Sequence, residues 1–174
     1  MTTPIPSPVK LVHWSVVLLL LALFAIAWTV DEFEAGPFKS SLIDLHRSLG
    51  LVVFVLALIR PLLRFTLGGV ERAGRSLTDL AASGIHIALY GALIAMPLAG
   101  WIFTSANGGP AKVFGIPVPD LVGKDDTIAD LAYGAHEILG NLILIAVGVH
   151  VAAALWHHFV QRDDVLRRML PGRP

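Results

Sequence analysis

Four long apolar stretches constrain this chain more than any other feature: Leu11 to Val30, Leu42 to Leu63, Ala82 to Phe103 and Leu131 to Phe159. Each is long enough to cross a hydrocarbon core of about 30 Å as a helix. Only backbone that satisfies its own hydrogen bonds survives there. The expected fold is therefore all-α, a four-helix transmembrane bundle. Composition agrees, since 55% hydrophobic and 15% charged residues with a mean hydropathy of +0.73 lie outside the range of ordinary soluble domains. Four spans in 174 residues leave room for one integral membrane domain, residues 1–174. No clear small-residue cleavage site precedes Asp31 and Glu32, so Met1 is expected to stay on the mature chain.

Net charge is zero, yet the charges are sorted by side. With both termini on one side, that side collects Lys10, Arg60, Arg64, Arg72, Arg75, Arg162, Arg167, Arg168 and Arg173. The other side has only Lys39, Arg47, Lys112 and Lys124, and it carries acidic residues from Asp31 to Asp130. The positive-inside rule then makes both termini cytoplasmic. The basic link from Arg64 to Ala81 suits an anionic inner leaflet, with Gly68 and Gly69 ending the second helix. The outer link, Thr104 to Asp130, holds Asn107-Gly108-Gly109-Pro110, Pro117 and Pro119, all turn residues. Asp125 and Asp126 are expected to cap a short surface helix ahead of the fourth span.

Histidines turn this topology into chemistry. His136 and His150 are fourteen residues apart on the fourth span, which on a helix puts them on one face, separated by roughly 21 Å. His46 lies near the outer end of the second span and His13 near the inner end of the first. Matched depths pair His46 with His136 and His13 with His150. Ionisable side chains within spans are costly and mark function. Cysteine is absent, so imidazole is the strong metal ligand available. Two facing pairs of neutral imidazoles suit two six-coordinate haem irons, and a bundle core admits a flat apolar porphyrin. Gly50 and Gly140 each stand four residues after an outer histidine, where a ring edge fits; close helix packing is the other reading of those glycines.

The remaining polar residues are less specific. His86, at the inner end of the third span, either competes with His13 for His150 or bonds a haem propionate. Arg60 and Arg64 either snorkel or neutralise propionates of an inner haem, and Arg47 stands in the same relation to an outer one. Trp14, Trp28, Trp101 and Trp156 lie near span ends and read as an interfacial belt.

His13-Trp14, His46, PLAGW at 97–101, HEILGNLILIAVGVH at 136–150 and the tail AALWHHFVQRDDVLRRMLP together resemble the bacterial four-helix cytochrome b561 family. The likeness to the superoxide-oxidising members of that family is close and covers nearly the whole chain. It implies an inner-membrane protein with two haem b groups that takes electrons from periplasmic superoxide and delivers them to ubiquinone near the cytoplasmic side, releasing dioxygen. Lys39 and Arg47 would then guide the superoxide anion. Trp14, Ser15 and His157, near the inner histidines, would form the quinone site. The partners implied are superoxide, the membrane quinone pool and the lipid bilayer, with neither nucleic acid nor an obligatory protein partner. The alternative is an electron-transfer subunit that docks to a dehydrogenase or hydrogenase.

Overall fold

The computed structural model describes residues 5–67 and 77–170. Gly68 and Gly69, expected to end the second helix, lie outside the described residues. Four long helices carry the chain: α1 Ser7–Thr29, α2 Pro37–Leu67, α3 Leu77–Ala106 and α4 Asp126–Trp156. Each is long and apolar enough to span a membrane, in keeping with the expected fold class.

The helices outrun the apolar windows because their polar ends are good helix starts. Pro8 stands in the first turn of α1 and Pro37 opens α2, positions where the missing N–H breaks no bond. Asp125 caps α4, its side chain accepting from the Ile128 N–H at 3.0 Å. That cap corrects one expectation: the acidic segment at 125–127 starts α4 itself, and no separate surface helix precedes it. Helix continues without a break because the 125–131 stretch contains neither proline nor glycine.

Neighbouring helices pack in chain order, α1 on α2, α2 on α3 and α3 on α4, while α1 and α4 hardly touch. The outer link between α3 and α4 forms a small antiparallel hairpin, β1 Lys112–Val113 and β2 Ile116–Pro117. Its turn residues Phe114 and Gly115 both have positive φ, +49° and +82°, which marks a two-residue primed turn. The hairpin is pinned to the bundle. The Phe114 N–H donates to Ser48 Oγ at 2.8 Å, and Ser48 Oγ donates in turn to the Asp44 carbonyl at 2.8 Å. Trp101 Nε1 donates to the Pro119 carbonyl at 3.1 Å, and the Leu121 N–H to Ser105 Oγ at 3.2 Å.

At the other end, α4 closes in a widened turn of the i→i+5 type over His157–Gln161, and Arg162 adopts a left-handed conformation, φ +54°. The chain reverses there into α5, Val165–Met169. Trp14 Nε1 donates to the Met169 carbonyl at 2.8 Å, and Lys10 Nζ reaches the Leu170 carbonyl at 3.5 Å. The tail therefore lies across the inner end of α1.

Candidate haem centres

The four paired histidines meet as the sequence expects. His46 of α2 and His136 of α4 have ring centroids 6.2 Å apart with planes at 66°. His13 of α1 and His150 of α4 stand 6.3 Å apart with planes at 69°. A metal held by one nitrogen of each ring at about 2.0–2.1 Å, with roughly 1.1 Å from nitrogen to ring centre, keeps two coaxial imidazoles about 6.3 Å apart. Both pairs fit that separation. His86 also approaches His150, but at 5.2 Å, about 1 Å too close to share a metal coaxially with it.

The outer pair sits in a cavity of about 500 Å³, within the range of cofactor pockets. Its walls are largely apolar, with Leu23, Val53 and Leu93 from three helices, and Gly50 and Gly140 open it beside the two histidines. A Cβ at Gly50 would meet nothing within 4 Å, so the room there is not taken up by a neighbouring helix. That favours the ring-edge reading of Gly50 over close packing. Gly140 is buried, and a Cβ there would only touch Met96 at 3.8 Å. A flat apolar group with imidazole on both faces fits these residues.

The orientation of His136 is set by α3. Its Nδ1 lies 3.0 Å from the Met96 carbonyl, which can only accept, so Nδ1 carries the proton and Nε2 is left with its lone pair. Gly100 makes this possible, since a Cβ there would stand 3.0 Å from His136 Nδ1 and 3.1 Å from Cε1. Sequence reading missed both Met96 and Gly100; the glycine in PLAGW, one turn from a proline inside a span, was the available signal. His46 Nδ1 is buried near the Leu23 backbone and has no hydrogen-bond partner among the described residues.

At the inner site Arg60 donates to the Tyr90 hydroxyl and lies over its ring, 5.5 Å from the centroid. It stays within electrostatic reach of His13, His86 and His150. Its buried Nε has no hydrogen-bond partner among the described residues, so a donor remains for an anionic group.

The residues expected to handle substrates fall less tightly together. Lys39 does not line the outer cavity; it pairs with Asp31 at 2.9 Å, and Asp31 does line it. Arg47 lines the cavity and pairs with Asp44 at 3.2 Å. Near the inner end, Trp14 packs edge-on against His13 at 5.5 Å, and Ser15 is half-buried on the same helix. His157 Nδ1 donates to Asp163 Oδ2 at 2.5 Å. That bond holds the Asp163 carboxyl below its usual range. Asp163 was not singled out from sequence, because only the widened turn brings it back onto His157. Trp14 and His157 thus both bond the 162–170 segment. Of the expected belt, Trp28 lines the outer cavity, Trp101 bonds the outer link and Trp156 is exposed.

Comparison with known proteins agrees with this architecture. A family model described as prokaryotic cytochrome b561 matches residues 5–172. Cytochrome b561 homolog 2 of Escherichia coli K12 is 32% identical over 164 residues, covering 91% of this chain and 86% of the relative. A protein named probable superoxide oxidase CybB, from Yersinia pestis, is 30% identical over 168 residues, 93% of each chain. Cytochrome b562 of Cereibacter sphaeroides is 29% identical over 172 residues, 92% of this chain and 91% of that one. A family match over almost the full length, on a bundle whose outer cavity is walled by facing imidazoles, makes this chain a member of the prokaryotic cytochrome b561 family, the haem-binding electron-transfer proteins of the membrane.

Proposed function

We propose that the protein binds two haem b groups, one between His46 and His136 and one between His13 and His150, and carries electrons from superoxide outside to ubiquinone inside. The observation that carries this reading is the near-identical spacing of the two imidazole pairs, 6.2 and 6.3 Å, at two depths along α4. Bound haem supplies one-electron redox chemistry at each depth. The chain's residues do the rest. His136 offers Nε2 as a ligand because Met96 holds the proton on Nδ1. Arg60, with a free Nε and a position near all three inner histidines, offsets the propionate charge there, and His86 supports the same edge. His157 and Ser15 hold the quinone carbonyls, with Trp14 as a wall.

The overall reaction is two superoxide anions plus ubiquinone and two protons giving two dioxygen molecules and ubiquinol. The protons enter from the inner side, where His157 is backed by Asp163. Both termini are cytoplasmic and the protein lies in the bacterial inner membrane. The similarity to a protein named probable superoxide oxidase supports the choice of electron donor.

A second reading, an electron-transfer subunit docking to a dehydrogenase or hydrogenase, is favoured by one observation. Lys39 and Arg47 are each paired with an aspartate, which weakens a field for attracting a small anion. Pulsed superoxide on the oxidised purified protein decides between them. Fast haem reduction, quicker at low salt and followed by ubiquinol formation, supports the oxidase; reduction no faster than for free haem in detergent supports the docking subunit.

A further inference from the structure

We infer that Lys112, carried on the hairpin, is the residue that binds a carboxylate of the group held between His46 and His136. This rests on the outer haem site proposed above. Among the described residues that line the outer cavity, two are cations, Arg47 and Lys112. Arg47 already has a carboxylate partner in Asp44. Lys112 is in no ion pair among the described residues. The helical walls of the cavity are largely apolar, with Arg47 and Glu137 among their few charged residues, and at the hairpin Lys112 and Val113 of β1 line it. Haem b has a matching asymmetry: an apolar macrocycle with two carboxylates on one edge. An ammonium group at the hairpin end of the cavity selects the orientation with that edge outward.

The position of Lys112 is built in. It pairs in register with Pro117, and the Val118 N–H donates to the Ala111 carbonyl at 2.9 Å. Two residues later the Phe114 N–H is fixed to Ser48, a side chain only 2% exposed. Ser48 is two residues past His46 on α2. The hairpin strand and the helix that carries His46 are therefore in fixed register, which holds the Lys112 backbone at the cavity lining. On this assignment Lys112 serves the cofactor, not the approach of superoxide.

Transfer of haem from the holoprotein to excess apomyoglobin tests this, with outer and inner phases assigned from the His46→Ala and His13→Ala variants. In Lys112→Gln the outer phase is expected to be about fivefold to tenfold faster, the scale of one charge-assisted hydrogen bond at a partly open site. Lys112→Arg should restore the wild-type rate, and Lys124→Gln, a cation outside the cavity lining, should leave it unchanged. The propionate bending band in the resonance Raman spectrum should shift in Lys112→Gln and stay in place in Lys124→Gln. An outer phase in Lys112→Gln within twofold of wild type, with an unshifted band, overturns the assignment while leaving the haem site standing. A wild-type protein with no outer phase overturns the haem site and the assignment together.

Discussion

His136 and Met96 meet across the α3–α4 interface, ring nitrogen to backbone carbonyl, at 3.0 Å. The contact fixes the tautomer of one imidazole and the rotation of its ring through a helix that contributes no histidine to either pair. Pro97 follows Met96 directly and removes one rung from α3, and Gly100 leaves the ring its place. The orientation of this imidazole is thus set by the neighbouring backbone.

Two glycine-to-alanine changes separate the demands of the chain from those of the cofactor. Gly50→Ala meets nothing in the protein and removes a helix-weakening residue, a gain of about 0.5–1 kcal/mol in intrinsic preference. The expected result is an intact fold with less outer haem. Gly100→Ala pushes a methyl against His136 and should lower both outer haem content and thermal stability. Full haem occupancy in Gly50→Ala would show that the macrocycle does not use that opening.

Ligand variants should sort by depth. His46→Ala and His136→Ala are expected to lose the same haem, and His13→Ala and His150→Ala the other. His86→Ala should keep both, because its 5.2 Å approach to His150 is too short for a shared metal. Reduced-minus-oxidised spectra with a haem count check this. A His86→Ala protein with one haem, beside a His13→Ala protein with two, would reverse the inner assignment.

The His157–Asp163 bond gives a pH signature at the end of the bundle that carries the C-terminal tail. Asp163 is held below the ordinary carboxylate value of about 3.9, chiefly by the hydrogen bond from His157. Its contribution to the tail's docking is therefore complete above that value and is lost as pH falls through the lower, folded-state value. The Asp163 side chain is 36% exposed, so solvent screens the contact, the effect on global stability is small and the titration itself is the useful readout. Carboxyl NMR should give a midpoint below the ordinary value, returning to it in His157→Ala; a midpoint that does not move between the two proteins rules the contact out.

Phe114 occupies a left-handed conformation that a bulky side chain adopts at a cost of about 1–2 kcal/mol, and the residue is 61% exposed. Phe114→Asn would place Asn-Gly in the turn, the favoured pair for this geometry. A rise in thermal midpoint is expected in detergent. A fall instead would mean that the ring earns its strained position by burying itself in the membrane interface.

Much of this arrangement is legible from the chain. The apolar windows located the spans, and the fourteen-residue interval with matched depths paired the histidines whose rings face each other in the structure. The place of Gly50 on the cavity wall could be read because it follows His46 by one helical turn. The pairing of Arg47 with Asp44 was open to the same reasoning, since residues three apart on a helix are neighbours. Met96 and Gly100 were not readable in role, because a backbone acceptor is present at every position and only tertiary packing selects one. The hairpin was hidden for a local reason: its turn uses Phe114 where Asn or Gly is usual, so the strand-turn signal is weak. Asp163 depended on a helix that widens before it ends.

Every imidazole pair includes a residue of α4, and α4 hardly touches α1. During synthesis the first three helices leave the ribosome and enter the bilayer with only one half of each pair among them. Neither pair exists until the fourth helix is inserted, whatever the order in which the others settle. A chain stalled or cleaved before α4 therefore carries one imidazole of each pair and a facing pair at neither depth, so completion of both candidate centres waits on a single insertion step.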